Sequence, residues 1–525
     1  VCVAPGASRI VRRESMESKL CIGIVILVYL TAMIIVGIVS AKGNDDSGDF
    51  YLGGRHLGPI VTAMSAEASD MSSWLLMGLP GVAYLSGLAD PLWTAIGLSV
   101  GTYLNWLLVA KPIRKYTSKL QAITVPDYMS KRYGDDKKIL TLVSAIIIVI
   151  FFIPYTASGF AACGKLFNTL FGVDYMLAMI VSAIIIALYC TLGGFKAVCI
   201  TDLIQSICMT VALIIVVLFG ISKAGGWGAV CANAQALPGY LSAHASYDVS
   251  TGTASKYGFL TIISTAAWGL GYFGMPHILV RFMAIEDTEK IKVSRRIASI
   301  WAPISMAIAI LIGIVGLAMS ANGTIPVLSG SGNAEKVIVQ IADVLGTMGI
   351  FPAIIAGIIL SGILAATMST ADSQLLASAS SISQDLLQTY GKKKLSDKTS
   401  VMIAKLTVVI ISIISIFIAR DPDSSVFQIV SFAWAGFGAS FGPVVLLSLF
   451  WKRSNKQGAI AGMITGGVMI FVWKYLIKPM GGAFGIYELL PAFILALVVN
   501  IIVCLATPAP SSDVTETFDA VKSEK

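Results

Sequence analysis

Long apolar runs recur from one end of the chain to the other, with short polar segments between them. Roughly thirteen are long enough to cross a bilayer, each needing about 20 residues. They lie around 19–41, 57–85, 91–111, 138–162, 172–192, 197–223, 256–280, 297–320, 346–380, 401–420, 425–450, 456–477 and 485–507. A membrane β-barrel would show short segments of alternating polarity instead. The pattern predicts an all-α polytopic membrane protein with about thirteen transmembrane helices.

Two of these spans are interrupted. "SAEASDMSSWLLMGLPG", from Ser65, carries Gly78, Pro80 and Gly81; "STAAWGLGYFGMPH", from Ser264, carries Gly269, Gly271, Gly274 and Pro276. Each has a tryptophan just before its glycines, Trp74 and Trp268. With the first span set aside, they open two successive groups of five spans, 57–223 and 256–450. Interrupted spans at matching places in two halves point to a transporter built from inverted repeats, with binding groups exposed at the bilayer midplane. The remaining segments divide as a probable non-native or disordered extension (1–15), a first span with its loop (16–56), a long loop (224–255), two further spans (451–507) and a tail (508–525). A cleaved signal peptide at the start is the alternative to a first span. The run 20–39 is long for one and lacks a clear small-residue cleavage site.

The first interrupted span also holds Glu67 and Asp70, which share a face if the helix is continuous. Asp70 lies about 13 residues in, roughly 20 Å deep in a core about 30 Å thick. A carboxylate there costs roughly 2.5–3.5 kcal/mol on insertion scales. It needs a counter-charge, a water-filled cavity or a bound cation, and no Lys or Arg stands nearby in sequence. A second polar cluster, Ser369, Thr370, Asp372 and Ser373, lies deep in "AATMSTADSQLLASASS". Its hard oxygens suit a cation such as sodium, although Ser and Thr also glue membrane helices together. A third intramembrane acid, Asp202, is nearer a span end, where a capping role is equally open.

Composition agrees: 56% of residues are hydrophobic and 13% charged, with mean hydropathy +0.83, where a soluble chain carries about 25% charged residues. The net charge of +8 is no nucleic-acid signal, because the basic residues gather in particular loops. Lys111, Arg114, Lys115, Lys119, Lys131, Arg132, Lys137 and Lys138 flank one connection. Arg281, Lys290, Lys292, Arg295 and Arg296 fall in a second, Lys392, Lys393, Lys394 and Lys398 in a third, and Lys452, Arg453 and Lys456 in a fourth. The positive-inside rule makes these loops cytoplasmic, which puts the N-terminus outside and the tail inside. The eight cysteines and three histidines show no ligand spacing.

The stretches "YLGGRHLGP" (51–59), "TAMSAEASDMSSWLLMGLPG" (62–81), "ITVPDY" (123–128), "FFIPYTASG" (151–159), "WGLGYFGMPHILVRFMA" (268–284), "GILAATMST" (362–370) and "FAWAGFGASFGPVVL" (432–446) resemble the sodium/solute symporter family. The resemblance runs over nearly the whole chain after Met16. It implies a LeuT-type core of two inverted five-helix repeats, preceded by one helix and followed by two. It also implies a sodium site formed by Ala68 and Met71, through their carbonyls, with Ala366, Ser369 and Thr370. Asp70 matches the family's aspartate for sodium-dependent transport, and Arg55 a residue tied to coupling. Solute contacts map to Ser72, Ser73, Trp74, Tyr155, Trp268, Tyr272 and Pro276. A second sodium site, present in some members, would map to Asp202, Ser369, Asp372 and Ser373. Glu67 and Ser73 depart from the pattern, standing where it has glycine.

The resemblance thus implies a symporter in the plasma (cytoplasmic) membrane that imports L-proline with sodium as co-transported ligand. The alternative is the same mechanism with another amino acid, pantothenate or another carboxylate. No cofactor, nucleic acid or obligatory protein partner is expected. There is no phosphate-binding glycine loop with Lys and no nucleophile elbow, so the chain does not read as an enzyme. A sensor would append a soluble signalling domain, and a channel would not need a solute pocket.

Overall fold

A computed structural model describes residues 5–40, 47–192, 194–390 and 396–523. Among them, ten helices are long and apolar enough to cross a membrane, and three apolar helices are shorter. Length alone therefore returns fewer spans than the thirteen expected. Two of the short helices, Trp74–Ser86 and Phe259–Gly274, belong to the interrupted spans.

In chain order, α1 is Pro5–Ser40, and the first broken span is α2 (Pro59–Asp70) and α3 (Leu79–Ser86). Then follow α4 (Ala89–Leu104), α5 (Ile139–Phe171), α6 (Tyr175–Leu192) and α7 (Phe195–Lys223). The second broken span is α8 (Phe259–Ala266) and α9 (Pro276–Ala284). After it come α10 (Ile291–Ala321), α11 (Ile350–Ser380), α12 (Asp397–Ile418) and α13 (Val426–Phe450). The last are α14 (Lys456–Val472), α15 (Leu489–Ala506) and a short α16 (Ser512–Ser523). Residues 5–15, expected as an extension, continue α1 as helix. The long loop 224–255 contains the helix Trp227–Ala236 and part of a two-stranded hairpin, Ala245–Asp248 with Thr253–Lys256.

The two breaks have local causes. Met71 leaves helical geometry at φ −78°, ψ 73°, ending α2, and a wide turn over Trp74–Gly78 restarts the helix with Pro80 in its first turn. In the second span a tight 3₁₀ stretch, Ala267–Gly274, runs into Met275 at φ −79°, ψ 108°. Pro276 forces that extended conformation on the residue before it and then opens α9. Gly271 is required here for space, since a Cβ would collide with the Trp434 indole.

The broken spans hold each other at one end of the bundle. The Leu57 amide bonds the Ala284 carbonyl at 3.2 Å, and the Glu286 amide bonds the Leu57 carbonyl at 3.0 Å. Several of the basic connections meet at this same end, where Lys111 pairs with Glu289 at 2.6 Å and Arg114 Nε donates to the Ile285 carbonyl at 2.6 Å. Lys392, Lys393 and Lys394 lie outside the described residues, as does the side chain of Lys398. The tail 508–525 contains α16, whose Phe518 and Val521 are buried. At the opposite end Lys165 and Glu335 form a buried pair at 2.7 Å, and Glu335 also accepts from Ser425, Val426 and Phe427 at the start of α13.

Candidate functional site

Breaking α2 after Asp70 leaves its last carbonyls without helical partners, and α11 supplies hydroxyls to them. Ser369 Oγ lies 2.8 Å from the Ala68 carbonyl and 3.2 Å from that of Ala366. Thr370 Oγ1 lies 3.4 Å from the same Ala68 carbonyl. Four of the expected ion ligands, Ala68, Ala366, Ser369 and Thr370, therefore converge across two helices distant in sequence. Met71 stands at the break itself, its amide bonded to the Glu67 carbonyl at 2.8 Å. The cluster is made of uncharged oxygens, all buried, a donor set that suits a hard monovalent cation.

Asp70, also expected at the sodium site, turns its carboxylate toward the second broken span. Its carboxylate receives the Tyr272 hydroxyl from the second broken span. Its carbonyl accepts from the Ser72 amide at 2.8 Å, Trp74 Nε1 at 2.9 Å and the Tyr155 hydroxyl at 3.2 Å. One residue thereby bonds four of the expected solute contacts, Tyr272, Ser72, Trp74 and Tyr155. Glu67 turns to α4 and the turn beyond it, accepting from Thr102 at 2.8 Å and Trp106 at 3.2 Å. Helical spacing alone put the two acids on one face, and tertiary partners give them separate tasks.

The aromatic residues form a closed cage. Trp74, Tyr155, Trp268 and Tyr272 are each at most 4% exposed. The rings of Trp74 and Trp268 stand 6.1 Å apart, and Trp268 is covered by Phe427 at 5.2 Å and Tyr487 at 5.3 Å. Trp434 donates from Nε1 to the Trp268 carbonyl at 2.8 Å and packs edge-on to Tyr272 at 5.1 Å. Asn105 Nδ2 donates to the Tyr272 carbonyl at 3.0 Å. Ser72 and Ser73 are buried beside Trp74, whereas Pro276, the buried first residue of α9, lines a separate small cavity with His277, Arg281 and Ser373.

The expected second ion site holds a protein cation. Arg281, on α9 and 1% exposed, donates from Nη2 to Asp202 Oδ2 at 3.0 Å and to Ser373 Oγ at 2.6 Å. Its Nε donates to Ser65 Oγ at 2.8 Å, and Ser65 donates to Asp202 at 2.6 Å. Sequence reading had placed Arg281 in a basic loop, because the apolar run stops at residue 280. Helix α9 continues to Ala284 and carries it inside. Trp434, Asn105 and the Lys165–Glu335 pair were missed in the same way, as polar or aromatic residues near span ends or in spans without a break.

A model of the Sodium:solute symporter family matches residues 50–466. The chain belongs to the sodium:solute symporter family. The chain is 43% identical over 506 residues to a sodium/proline symporter of Haemophilus influenzae, covering 95% of this chain and 96% of that one. It is 40% identical over 485 residues to the osmoregulated proline transporter OpuE of Bacillus subtilis, covering 92% of this chain and 94% of that one. It is 41% identical over 494 residues to the Escherichia coli sodium/proline symporter, covering 94% of each. Among solved structures, a substrate-bound, outward-open Na+-coupled sialic acid symporter superposes with a TM-score of 0.75 at 18% identity, covering 94% of this chain and 99% of that one. MhsT in complex with L-phenylalanine gives 0.54 at 16%, covering 85% and 98%. The fold is that of LeuT-type inverted-repeat transporters.

As a sodium:solute symporter family member, the chain places Arg55 where both broken spans meet. Its guanidinium donates to the Met283 carbonyl at 2.9 Å, the Thr117 carbonyl at 2.9 Å and the Ala122 carbonyl at 2.7 Å. Burial, and then the neighbouring Arg114, push its pKa down to about 10, so it stays protonated at neutral pH. The backbone of Arg55 is left-handed, φ 61°, which is costly for a non-glycine residue.

Proposed function

We propose that this chain imports L-proline with sodium by alternating access across the plasma membrane. The observation that carries the reading is the 2.8 Å approach of Ser369 to the Ala68 carbonyl, one turn from the aromatic cage. In this reading sodium is bound by Ala68, Met71, Ala366, Ser369 and Thr370, taking the carbonyls and hydroxyls that otherwise bond one another. Holding Ala68 orders the end of α2, and the Asp70 carbonyl then fixes Trp74 and Tyr155. The ring of proline fits the apolar walls of Trp74, Trp268 and Tyr272, and its ammonium meets a ring face or free carbonyl. Its carboxylate faces backbone amides at a broken helix end, where the dipole is positive. Ion and solute affinities therefore rise together.

The membrane potential supplies about 2.3 kcal/mol per charge per 100 mV, with the sodium gradient adding to it. The names of the relatives support proline. The basic loops support a cytoplasmic tail and an external N-terminus. A second reading keeps the mechanism and changes the solute, and Ser73, buried beside Trp74 with no partner for its hydroxyl among the described residues, favours it. Labelled proline uptake into vesicles tests both. Uptake should fall to background when choline replaces sodium, and unlabelled proline should compete best in a panel of amino acids, pantothenate and other carboxylates. Equal uptake in choline refutes the coupling.

A further inference from the structure

The tail helix α16 is docked on the bundle. Its Phe518 ring lies 6.3 Å from that of Tyr116, near the end of the span that begins as α4 and runs on to Lys119. Between α16, that span and the last turn of α13 lies a cavity of about 390 Å³, within the usual range of small-molecule sites. Its lining divides by chemistry. Leu107, Leu108 and Phe450 are apolar and 40%, 39% and 51% exposed, and on membrane-spanning helices such exposure faces lipid. Lys111 and Lys115 follow Leu108 by three and seven residues, so they continue its face of the helix toward the end of the span. Lys522 of α16 completes a group of three lysines, and no acid lines the cavity among the described residues. Glu289 and Asp519, acids of the same region, pair instead with Lys111 at 2.6 Å and Lys452 at 2.5 Å.

Two buried groups beside the cavity lack partners. Tyr116 lines it, is 2% exposed, and has a hydroxyl with no hydrogen-bond partner among the described residues. Arg132, also 2% exposed, stands behind the wall, its guanidinium carbon 5.3 Å from the Tyr116 ring and 5.2 Å from that of Phe518. Its Nε donates to the Ser448 carbonyl at 2.8 Å, while neither Nη has a partner among the described residues. Four cations thus gather around one amphipathic cavity, and a buried donor waits in its lining.

We propose that this cavity binds one anionic phospholipid, its phosphate among Lys111, Lys115 and Lys522 and its acyl chains along Leu107, Leu108 and Phe450. The proposal rests on the reading that turns the basic loops to the cytoplasm, which places the cavity at the inner leaflet. Charge and shape select the occupant. Basic pockets at the cytoplasmic ends of membrane helices bind anionic headgroups, and a lysine ammonium meets a phosphate as a point charge. A zwitterionic lipid brings its own ammonium, which the same cations repel. A free phosphate leaves the apolar lining uncovered, and a second copy of this chain sets lysines against lysines. The volume takes a phosphate and its glycerol, and the chains continue over the exposed leucines into the bilayer. Because Phe518, Val521 and Lys522 form one wall, the bound lipid ties α16 to the membrane.

The test is lipid retention by the purified full-length protein. In detergent it is given equal phosphatidylglycerol and phosphatidylcholine with the same acyl chains, and bound lipid is counted by mass spectrometry of the intact complex. The wild type should keep one phosphatidylglycerol, preferred about 30-fold or more. Lys115→Gln/Lys522→Gln should bring the two lipids close to equal retention, a loss of about 30-fold (~2 kcal/mol). Lys292→Gln/Arg296→Gln removes the same charge from another basic connection at this end and should leave the preference intact. Leu108→Trp, which fills the apolar side, should cut retention of both lipids, and it decides if the lysine variant does not fold. Equal retention of the two lipids by the wild type overturns the proposal. An equal loss in both charge variants overturns it too, since the cause is then general surface potential. Displacement of the lipid by excess inorganic phosphate, or a dimer mass without lipid, also overturns it. The readout is lipid binding, so proline uptake indifferent to sodium would defeat the proposed function and leave this result standing.

Discussion

The two broken spans occupy equivalent places in the repeat and supply opposite chemistry. The first, α2 and α3, contributes oxygens: the Ala68 and Asp70 carbonyls and the carboxylates of Glu67 and Asp70. The second, α8 and α9, contributes rings and a cation: Trp268, Tyr272 and Arg281. They touch at the Asp70–Tyr272 bond and again where Leu57 pairs with Ile285 and Arg55 reaches Met283. The lesson is that one structural device, an unwound turn, meets hydroxyls in one half and aromatic walls in the other, with Trp74 reaching across from the first; in the proposed reading these are the ion and solute sides. Which it forms depends on the side chains around the break and on what faces it, hydroxyls of α11 in the first case and aromatics of α13 in the second.

Four substitutions sharpen this division, from the largest expected effect to the smallest. Lys165→Met lies outside both breaks but strands Glu335 as an unpaired buried charge, so it should cost ~3–5 kcal/mol of stability. Thermal unfolding in detergent reads the loss, and the sodium dependence of the surviving protein should be unchanged. Ser369→Ala removes the hydroxyl that α11 turns to the Ala68 carbonyl of the first break, a sodium ligand in the proposed reading. It should weaken sodium binding by ~1.5–3 kcal/mol, about 10- to 150-fold, measured as the sodium concentration for half-maximal proline uptake. Trp434→Phe removes the donor to the Trp268 carbonyl in the second break. It should weaken proline by ~0.5–1.5 kcal/mol, roughly 2- to 12-fold, with little change in sodium binding to protein alone. Lys452→Ala breaks only the exposed pair with Asp519 that tethers α16, and such pairs contribute about 0–1 kcal/mol. Uptake and melting temperature should both be nearly unmoved. An equal loss of sodium and proline binding in Trp434→Phe would erase the division between the halves.

Much of this was legible in the sequence because the breaks are written in glycine and proline. Pro276 announces the extended Met275, and Pro80 with Gly78 the restart after Trp74. The hydroxyl cluster that meets Ala68 was legible because Ser369 and Thr370 sit in a run where only apolar residues are otherwise cheap. What was not legible follows from hydropathy itself. A charged residue ends an apolar run, so Arg281 and Lys165 fell outside spans that in the structure continue to Ala284 and Phe171. Their partners, Asp202 and Glu335, lie far away in sequence, and no local pattern pairs them. The orientation of Glu67 was hidden for the same reason, since Thr102 and Trp106 come from a different span.

The central claim is that the two breaks form one cleft in which sodium and proline bind together. It is tested most directly by measuring the proline dissociation constant of the purified protein across a sodium titration, and the sodium constant across a proline titration. Linkage requires that sodium tighten proline by the same factor as proline tightens sodium, and the account predicts that shared factor to be ten or more (~1.4 kcal/mol). A proline dissociation constant that does not move with sodium would contradict it.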